Sequence, residues 1–339
     1  MRYPIFIIAL ILGLQVNTHA QKTTGNKFKI AFYNTENLFD TIDDPNKNDN
    51  DFLPGSKVAW TSQRYNLKVQ HIAKVLVAID SINLPAVIGM AEIENIGVLN
   101  DLVNTPPLLK GKYKTILEEG PDPRGIDVAL IYRSDILHYI SHRAFPAAQT
   151  FNTRSILFVR LADSKKDTFN IFVNHWKSRE GNGNETESKR MENAGSLKHL
   201  TDSLFARNPK ANIVIMGDFN DEPGDKSLSE KLGALKPDQK IMPASLYNLM
   251  YLRFLNGEGT LYYKDWDMFD QVIVSGHLLP DVKHGKGAVI LPPYSSIFKQ
   301  EWMLYKNKAG DLVPNRTASS KDYFGGYSDH LPVYVTVNY

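Results

Sequence analysis

Short apolar runs that end in polar residues recur along this chain, and they define its predicted strands. Residues 213–216 form such a run, which is typical of a buried strand and stops at Gly217. Asp218 and Asn220 follow two residues apart. If the extended geometry continues for one more step, their side chains point the same way and Phe219 points back into the core. Because these residue types also favour a polar turn, the rest of the chain must decide between a turn and a functional site.

Periodicity elsewhere predicts strands interspersed with helices. Residues 27–33 alternate as a strand does, with Phe28, Ile30 and Phe32 on one side. Apolar residues at helical spacing predict three helices, at 63–80, 95–103 and 185–206. A helix and turn are predicted at 224–238, and residues 276–326 are expected to be irregular. The other predicted strands are 86–91, 113–117, 126–132, 136–145, 155–161, 168–173, 212–216, 259–263, 268–275 and 331–337.

The mixture of strands and helices favours a single α/β domain, because no internal repeat or low-complexity linker divides it. Strands outnumber helices, so purely parallel winding is not expected. We therefore predict two mixed β-sheets packed face to face, with helices on the outside.

Composition places the chain among ordinary globular proteins. Its 339 residues are 42% hydrophobic and 22% charged. The formal net charge of +2 counts against a high-affinity nucleic-acid-binding protein, but not against an enzyme that contacts a few phosphates. No apolar run outside the N-terminus is long enough for a transmembrane helix. The chain has no cysteine, which excludes disulfides and lipid attachment at a cysteine.

Residues 1–20 have the pattern of a secretory signal peptide. Arg2 gives the N-terminal region a positive charge, residues 5–14 are apolar, and the residues up to Ala20 include small side chains at the positions typical of a cleavage site. We expect cleavage there, which leaves residues 21–339 as one exported domain, periplasmic or extracellular, with no stable membrane anchor. Nothing in the sequence indicates a protein partner, and we expect a monomer.

Polar side chains stand at the ends of the main predicted strands. They comprise Asn34, Glu92, His175, Asp218, Asn220, Asp329 and His330. Each alone has an ordinary explanation, since Asp329 could cap a turn, Glu92 could cap the next helix, and His175 could be a core histidine. Because such strand ends gather in a crevice at one edge of a sheet, their coincidence favours one shared site.

This set suits hydrolysis of a phosphate ester. Mg²⁺ prefers one or two carboxylates together with water and the substrate phosphate, and it neutralises charge on the phosphate. Glu92 could hold it with help from other oxygen ligands, which are Asn34, Asp218 and Asp329. One histidine paired with an acid would act as general base on water. Asp270, inside a predicted strand, is the natural partner to orient His330.

Six motifs carry a resemblance to a known family. They are Phe-Tyr-Asn-Thr-Glu-Asn (32–37), Ala-Glu-Ile-Glu-Asn (91–95), Asn-His-Trp-Lys-Ser (174–178), Gly-Asp-Phe-Asn-Asp (217–221), Phe-Asp-Gln-Val-Ile-Val-Ser (269–275) and Ser-Asp-His-Leu-Pro-Val (328–333). In this order they resemble the endonuclease/exonuclease/phosphatase superfamily over nearly all of residues 27–338. The resemblance implies a four-layer αββα sandwich of the DNase I-like type and dependence on Mg²⁺ or Mn²⁺.

The resemblance also implies roles for single residues. Glu92 would be the principal metal ligand, with Asn34 and Asp329 beside it. The catalytic residues would be His175, Asp218, Asn220, Asp270 and His330. Ca²⁺ is a further possible cofactor. The acidic run 40–51 lacks the spacing of an EF-hand calcium loop, which favours a solvated loop there.

The substrate is less determined. Residues 39–45, 124–133 and 325–330 resemble the secreted bacterial nuclease-type branch, which favours DNA or RNA phosphodiesters as substrate. Residues that could contact it are Tyr132, Lys177, Arg190 and Arg316. A packed strand position remains open for Tyr132, and a solvated surface for each lysine.

Two other classes of function remain as alternatives. One is a phospholipid phosphodiesterase of the sphingomyelinase kind, or a phosphatase on small phosphate esters. The other is a catalytically silent binding module. Loss of Glu92 or of either histidine would support the silent module, and none of them is lost.

Overall fold

Two β-sheets form the centre of the protein, and the computed structural model describes residues 26–180, 186–238, 240–282, 287–319 and 321–339. The predicted signal peptide lies outside the described residues. Within them, no helix combines the length and apolar character needed to cross a membrane. In chain order the strands are β1 (Lys27–Leu38), β2 (Val87–Ile93), β3 (Tyr113–Leu117), β4 (Asp127–Arg133), β5 (His138–Phe145), β6 (Ile156–Ala162), β7 (Thr168–His175), β8 (Asn212–Asp218), β9 (Ala234–Leu235), β10 (Leu246–Asn248), β11 (Leu261–Tyr262), β12 (Trp266–Asp267), β13 (Asp270–Ser275), β14 (Val289–Ile290), β15 (Ser296–Ile297), β16 (Leu304–Lys306), β17 (Leu312–Pro314) and β18 (Val333–Asn338). The α-helices are α1 (Ser62–Ile79), α2 (Ile96–Val103), α3 (Pro106–Leu109), α4 (Glu187–Arg207) and α5 (Tyr251–Leu255).

Both sheets are mixed. The first has the strand order β14-β18-β1-β2-β4-β3, with β15 also paired to β18, and the second has the order β5-β6-β7-β8-β13-β10-β9. β1 runs parallel to β2, and β7 runs parallel to β8, whereas most other neighbours are antiparallel. Within the described residues, β11-β12 and β16-β17 form separate two-stranded ribbons. The carboxyl ends of both parallel pairs can therefore meet at one edge of the sandwich.

Three apolar cores separate four layers. The central core lies between the sheets and includes Phe32 and Met216. A second core packs helices α1 to α3 onto the first sheet, and a third packs α4 onto the second sheet. The sheets approach closely at Gly89, where an added Cβ would lie 2.5 Å from the Met216 sulfur. This arrangement confirms the predicted four-layer αββα sandwich of two mixed sheets.

The alternation predicted for β1 is confirmed residue by residue. Phe28, Ile30 and Phe32 lie in the central core, while Ala31 and Tyr33 face the helices that cover the first sheet. In a strand that is buried on both sides, odd and even positions pack into different cores, because successive side chains point to opposite sides. β1 therefore belongs at the centre of its sheet.

Strand ends and short elements differ from the prediction. β1, β7 and β8 extend to Leu38, His175 and Asp218, so polar residues lie inside strands rather than after them. Backbone pairing with a neighbouring strand does not depend on side-chain polarity, which explains the extension. The segment predicted to be irregular contains the short strands β14 to β17, and the predicted helix at 224–238 is a π-helix over Ser227–Leu232.

Candidate active site

Four strands from the two sheets deliver polar side chains to one edge. Asn34 of β1 and Glu92 of β2 come from the first sheet, and His175 of β7 lies directly opposite Asp218 of β8 in the second. The register of β1 against β2 shifts between Asn34 and Leu38, which marks a bulge. Bulges are common beside active sites, where they redirect a side chain.

The bulge is accompanied by backbone strain. Glu36, Asn37 and Glu92 have φ values of 54°, 53° and 62°, in the left-handed region that residues other than glycine rarely occupy. Such conformations persist only where the surrounding structure holds them, and they are frequent at functional sites. Here the strain turns the Glu92 carboxylate toward Asn34 and the backbone of Asn37.

Asn34 bridges two carboxylates of the site. Its Nδ2 donates to Oδ2 of Asp218 at 3.0 Å and to Oε1 of Glu92 at 3.3 Å. Its Oδ1 accepts from the backbone N–H of Glu36 at 3.0 Å, and the N–H of Asn37 donates to Oε2 of Glu92 at 2.8 Å. Nδ2 of Asn34 therefore faces the two carboxylates and holds them together in this geometry, and its role as a metal ligand stays a prediction.

Asp218 lies at the centre of the site, between two histidines. Its Oδ2 is 3.6 Å from Nε2 of His175 and 3.8 Å from Nε2 of His330. Burial raises the pKa of Asp218 to about 6, against the opposing effect of His330. A carboxyl group with a pKa close to neutrality can take up or release a proton during a reaction.

Asn220 reaches Asp218 through a turn rather than through strand parity. Its φ of 51° ends the extended geometry, so the expected i, i+2 alignment does not occur. Its backbone N–H donates to Oδ1 of Asp218 at 3.0 Å, and its Nδ2 donates to the carbonyl of Trp176 at 3.2 Å. Phe219 is buried as expected, with its ring edge-to-face against Trp176.

His175 is buried in surroundings that favour its neutral form. Its Nε2 is 3.9 Å from Oε1 of Glu92, and its Nδ1 has no hydrogen-bond partner among the described residues. Burial lowers the pKa of His175 well below its ordinary value, and the positive charges of Arg154 and Arg124 act in the same direction. The nitrogen beside the carboxylates of the site is Nε2, and a neutral imidazole can use it as a hydrogen-bond donor or acceptor for a bound phosphate group.

His330 forms a tight pair with Asp270. Its Nδ1 lies 2.6 Å from Oδ2 of Asp270, which is fully buried at the start of β13. Burial lowers the pKa of His330, but Asp270, Asp218 and Asp329 outweigh it, so the pKa is raised well above the ordinary value. The hydroxyl oxygen of Ser328 accepts a hydrogen bond from the backbone N–H of His330 at 3.1 Å.

Asp329 is held by a network that the sequence did not reveal. Its Oδ2 is 3.0 Å from Nη2 of Arg316, and the Nε of Arg316 is 3.1 Å from Oε1 of Glu36. Glu36 also accepts from the N–H of Thr317 at 2.6 Å. Burial raises the pKa of Glu36 to about 7, with Asp329 as the next cause.

Lys68 of α1 supports the same network from beneath. Its side chain is fully buried and donates to Thr317 and to the carbonyl of Tyr327, and it lies 4.0 Å from Glu36. The available signal was a lysine on the apolar face of a predicted helix, between Tyr65 and Val69. Buried lysines are rare unless they are paired, so that position indicates an internal charge network.

The donor set of this cleft fits a divalent metal ion. Glu92 and Asp329 contribute carboxylates, and neutral amides rather than cations hold Glu92. One ligand atom each from Asp218, Asp270 and His330 also lies within 4.8 Å of the others. We assign this second group to proton transfer, because the short contact between Asp270 and His330 already occupies a nitrogen and an oxygen. Carboxylate oxygens such as those of Glu92 and Asp329 are the type of ligand that Mg²⁺ or Mn²⁺ prefers.

Two of the predicted substrate-binding residues lie outside the site. Tyr132 pairs with Val87 at the start of β2, at the opposite end of that strand from Glu92, and its ring packs in the central core. Arg190 is buried on α4, with its Nε 2.7 Å from Oδ1 of Asp221. Strand pairing and a buried ion pair therefore give both residues structural positions.

The other two predicted residues differ in their availability. Lys177 lies just after β7 and forms an ion pair with Glu180. Arg316 is in the site, where it contacts Asp329 while its side chain remains 42% exposed. Arg316 is therefore the predicted basic residue best placed to meet a substrate phosphate.

Solved structures with the same fold come from several sources. An endonuclease/exonuclease/phosphatase family protein from Bacteroides thetaiotaomicron has 15% identity and a TM-score of 0.55, with 92% of this chain and 98% of that chain covered. TDP2 from D. rerio, complexed with single-strand DNA product, has 13% identity, a TM-score of 0.56, and 92% and 99% coverage. A mannosyl-6-phosphatase from Bacteroides thetaiotaomicron has 16% identity, a TM-score of 0.51, and 92% and 100% coverage.

Sequence comparison assigns the family. No curated protein matched the sequence significantly. The model of the Endonuclease/Exonuclease/phosphatase family matches residues 29–339, which is nearly the whole chain. The match agrees with the DNase I-like fold and with the acids and histidines gathered at one edge of the sheets. The chain belongs to the endonuclease/exonuclease/phosphatase family, and it is a phosphoric ester hydrolase.

Proposed function

We propose that the protein is an exported, divalent-metal-dependent phosphodiesterase that hydrolyses phosphodiester bonds in DNA or RNA. The observation that supports the chemistry is the convergence of Glu92, Asp218, His175 and the His330–Asp270 pair within a few ångströms. The nuclease-like variants of the sequence motifs support nucleic acid as substrate. The similar structure of D. rerio TDP2 with single-strand DNA product is consistent with that choice.

The metal ion would be held mainly by Glu92, with Asp329 beside it. When bound, it supplies positive charge that neutralises the phosphate and the departing oxygen. Asn34 keeps the carboxylates of Glu92 and Asp218 close together through its amide N–H groups. Arg316 limits the movement of Asp329 from the other side.

We assign proton transfer to the His330–Asp270 pair and to Asp218. Asp270 holds Nδ1 of His330, which leaves Nε2 directed at the centre of the site, 3.8 Å from Asp218. We assign His330 as the general base toward the attacking water. Because its raised pKa favours the charged imidazolium, Nε2 would first pass its own proton to Asp218. Asp218 lies close enough to share that proton. Neutral His175 donates a hydrogen bond to a phosphate oxygen from the opposite side.

A second candidate substrate is a small phosphate ester. A cleft of about 240 Å³ beside the site is lined by Asn37, Phe52, Arg124 and Arg316. Clefts that bind small molecules usually start near 300 Å³, so this one suits a compact ligand. The mannosyl-6-phosphatase of the same fold is consistent with such a substrate.

A substrate panel tests the proposal directly. The purified mature chain is offered plasmid DNA, RNA, sphingomyelin and a phosphate monoester, each with Mg²⁺, Mn²⁺ or EDTA. We expect cleavage of DNA or RNA that depends on the metal ion, and none by Glu92→Gln. If the enzyme hydrolyses the monoester or the lipid and leaves DNA and RNA intact, the nuclease assignment is wrong and the hydrolysed compound indicates the substrate class. Full activity in EDTA would remove the metal ion from the mechanism.

Export is tested separately from activity. In its native host, the protein should be recovered outside the cytoplasm with an N-terminus near Gln21, as determined by mass spectrometry. Cytoplasmic protein with an intact Met1 would contradict export and leave the hydrolase assignment untouched.

A further inference from the structure

A basic groove lies at the end of the second sheet opposite the catalytic edge. It has a volume of about 740 Å³ and is formed by strands β5 to β8 and the C-terminal end of α4. Its lining includes the starts of β7 and β8, whereas His175 and Asp218 stand at the ends of those strands. The groove cations are Arg143, Arg160, Lys166, Arg207 and Lys210.

The groove cations have no carboxylate partner within the ranges that the structure describes. The one carboxylate in the lining, Asp167, instead accepts from the backbone N–H of Ala288 at 3.1 Å. Basic residues around the catalytic edge differ, since Lys177, Arg179 and Arg316 each form an ion pair. With a net charge of only +2 for the whole chain, five cations against the one carboxylate Asp167 in the lining form a local positive field.

Aromatic rings lie among these cations. Phe145 and Phe158 line the groove and are only partly buried. The guanidinium of Arg143 lies 4.8 Å from the ring centre of Phe145, and Phe158 stacks on Phe172 at 4.7 Å. Proteins that hold single-stranded nucleic acid combine a positive groove for the backbone with aromatic rings on which bases stack.

We propose that this groove binds the phosphate backbone of single-stranded nucleic acid, as an auxiliary site apart from the catalytic centre. The proposal rests on the proposed function only for the identity of the polyanion. The groove and the catalytic edge lie at opposite ends of the eight-residue strand β7. That separation is about 20 Å along the strand, so a long chain could occupy both sites while a short one could not.

Binding is measured apart from catalysis. Glu92→Gln serves as the inactive background, and a long fluorescent oligodeoxythymidine is the probe. Arg207→Ala with Lys210→Ala, at the exposed end of α4, should weaken binding about 25-fold at about 0.1 M salt and lower the salt slope by about 1.4, because each phosphate contact on a single strand contributes about 0.7 to that slope. The matched control is Lys110→Ala with Lys114→Ala, two exposed lysines outside the groove.

A second pair of substitutions guards against a folding defect. Arg143→Ala with Lys166→Ala should have the same effect, and melting curves should show that each variant is folded. Unchanged affinity in both groove variants would overturn the proposal. Equal affinity for heparin, lost in the same variants, would overturn nucleic acid as the partner.

The same variants separate this proposal from the proposed function. If the oligonucleotide binds through the groove but the wild-type enzyme leaves DNA and RNA intact, the groove stands and the nuclease assignment fails. If the wild type cleaves nucleic acid, and both groove variants bind like the Glu92→Gln background and cleave like the wild type once Glu92 is restored, the nuclease assignment is retained and the groove proposal fails.

Discussion

Nδ1 of His330 lies 2.6 Å from Oδ2 of Asp270, and this contact joins the two sheets at their shared edge. Asp270 begins β13 of the second sheet, whereas His330 precedes β18 of the first. With Nδ1 held by a carboxylate, the ring presents Nε2 to the centre of the site. The orientation of the proposed base therefore depends on how the sheets pack, and not only on its own strand.

The pair should behave as one unit in catalysis. His330→Ala should lower kcat/KM by about 10²–10⁴-fold, which is the usual range for loss of an acid or base. Asp270→Asn should cost part of that, and the double variant should be no worse than His330→Ala alone, because residues that act together are not additive. Steady-state kinetics of the three variants measures this. If the losses of the single variants multiply in the double variant, His330 and Asp270 do not act as one unit.

Metal binding should depend on Glu92 and not on its neighbour Glu94. Glu94 has the same parity in the sequence, but its Oε2 accepts from the backbone N–H of Asp40 in the loop that follows β1. Glu92→Gln should weaken Mn²⁺ binding by more than about 100-fold, which exceeds the loss typical of residues that only support a ligand. Titration calorimetry measures it.

The matched control for that experiment is Glu94→Gln. It should keep Mn²⁺ affinity and activity within a few-fold, because its carboxylate holds a loop rather than the site. Equal losses in the two variants would mean that the loop, rather than a ligand, controls metal binding.

Arg190 should contribute to stability rather than to substrate affinity. Its guanidinium is buried against Asp221, and removing one partner of a buried ion pair costs about 3–5 kcal/mol. Arg190→Ala should therefore lower the free energy of unfolding by that amount, measured by chemical denaturation, with KM unchanged for the folded enzyme. Lys189→Ala at the adjacent position is the control and should stay within about 0.5 kcal/mol. A raised KM with unchanged stability would instead support the predicted role of Arg190 in substrate binding.

Stability should depend on pH through Glu222. Burial raises the pKa of Glu222 to about 8, and both of its oxygens lie 3.1 Å from the N–H of Met268. Because the folded pKa exceeds the value of about 4.3 in an unfolded chain, its contribution is fully present below that pH and is lost as the pH rises through about 8. Glu222→Gln should thus gain in Tm relative to the wild type between about pH 5 and 9.

Melting curves across that pH range provide the measurement. The exposed Glu230→Gln is the control for the substitution itself. A difference in Tm between Glu222→Gln and the wild type that stays constant with pH would contradict the raised pKa.

Local pattern made much of the fold predictable. The parity of Phe28, Ile30 and Phe32 identified the inner face of β1, because the side chains of a strand alternate regardless of what they meet. Apolar runs with polar ends located most strands and the residues that converge at the catalytic edge. Elements of one turn, such as α3 and α5, were not predicted, since they are too short to show a period.

The sequence by itself determined the succession of strands and helices along the chain, the two alternating faces of β1, and the residue types at the catalytic edge. Only the tertiary structure decided which groups meet there. In the tertiary structure, the amide N–H groups of Asn34 face two carboxylates, and Arg190 is paired with Asp221. Tyr132 lies at the end of its sheet opposite the catalytic edge. The physical reason is range, because periodicity records the environment of a residue along its own element. Its charged partner, and the end of the sheet at which it stands, depend on pairing between strands distant in the chain.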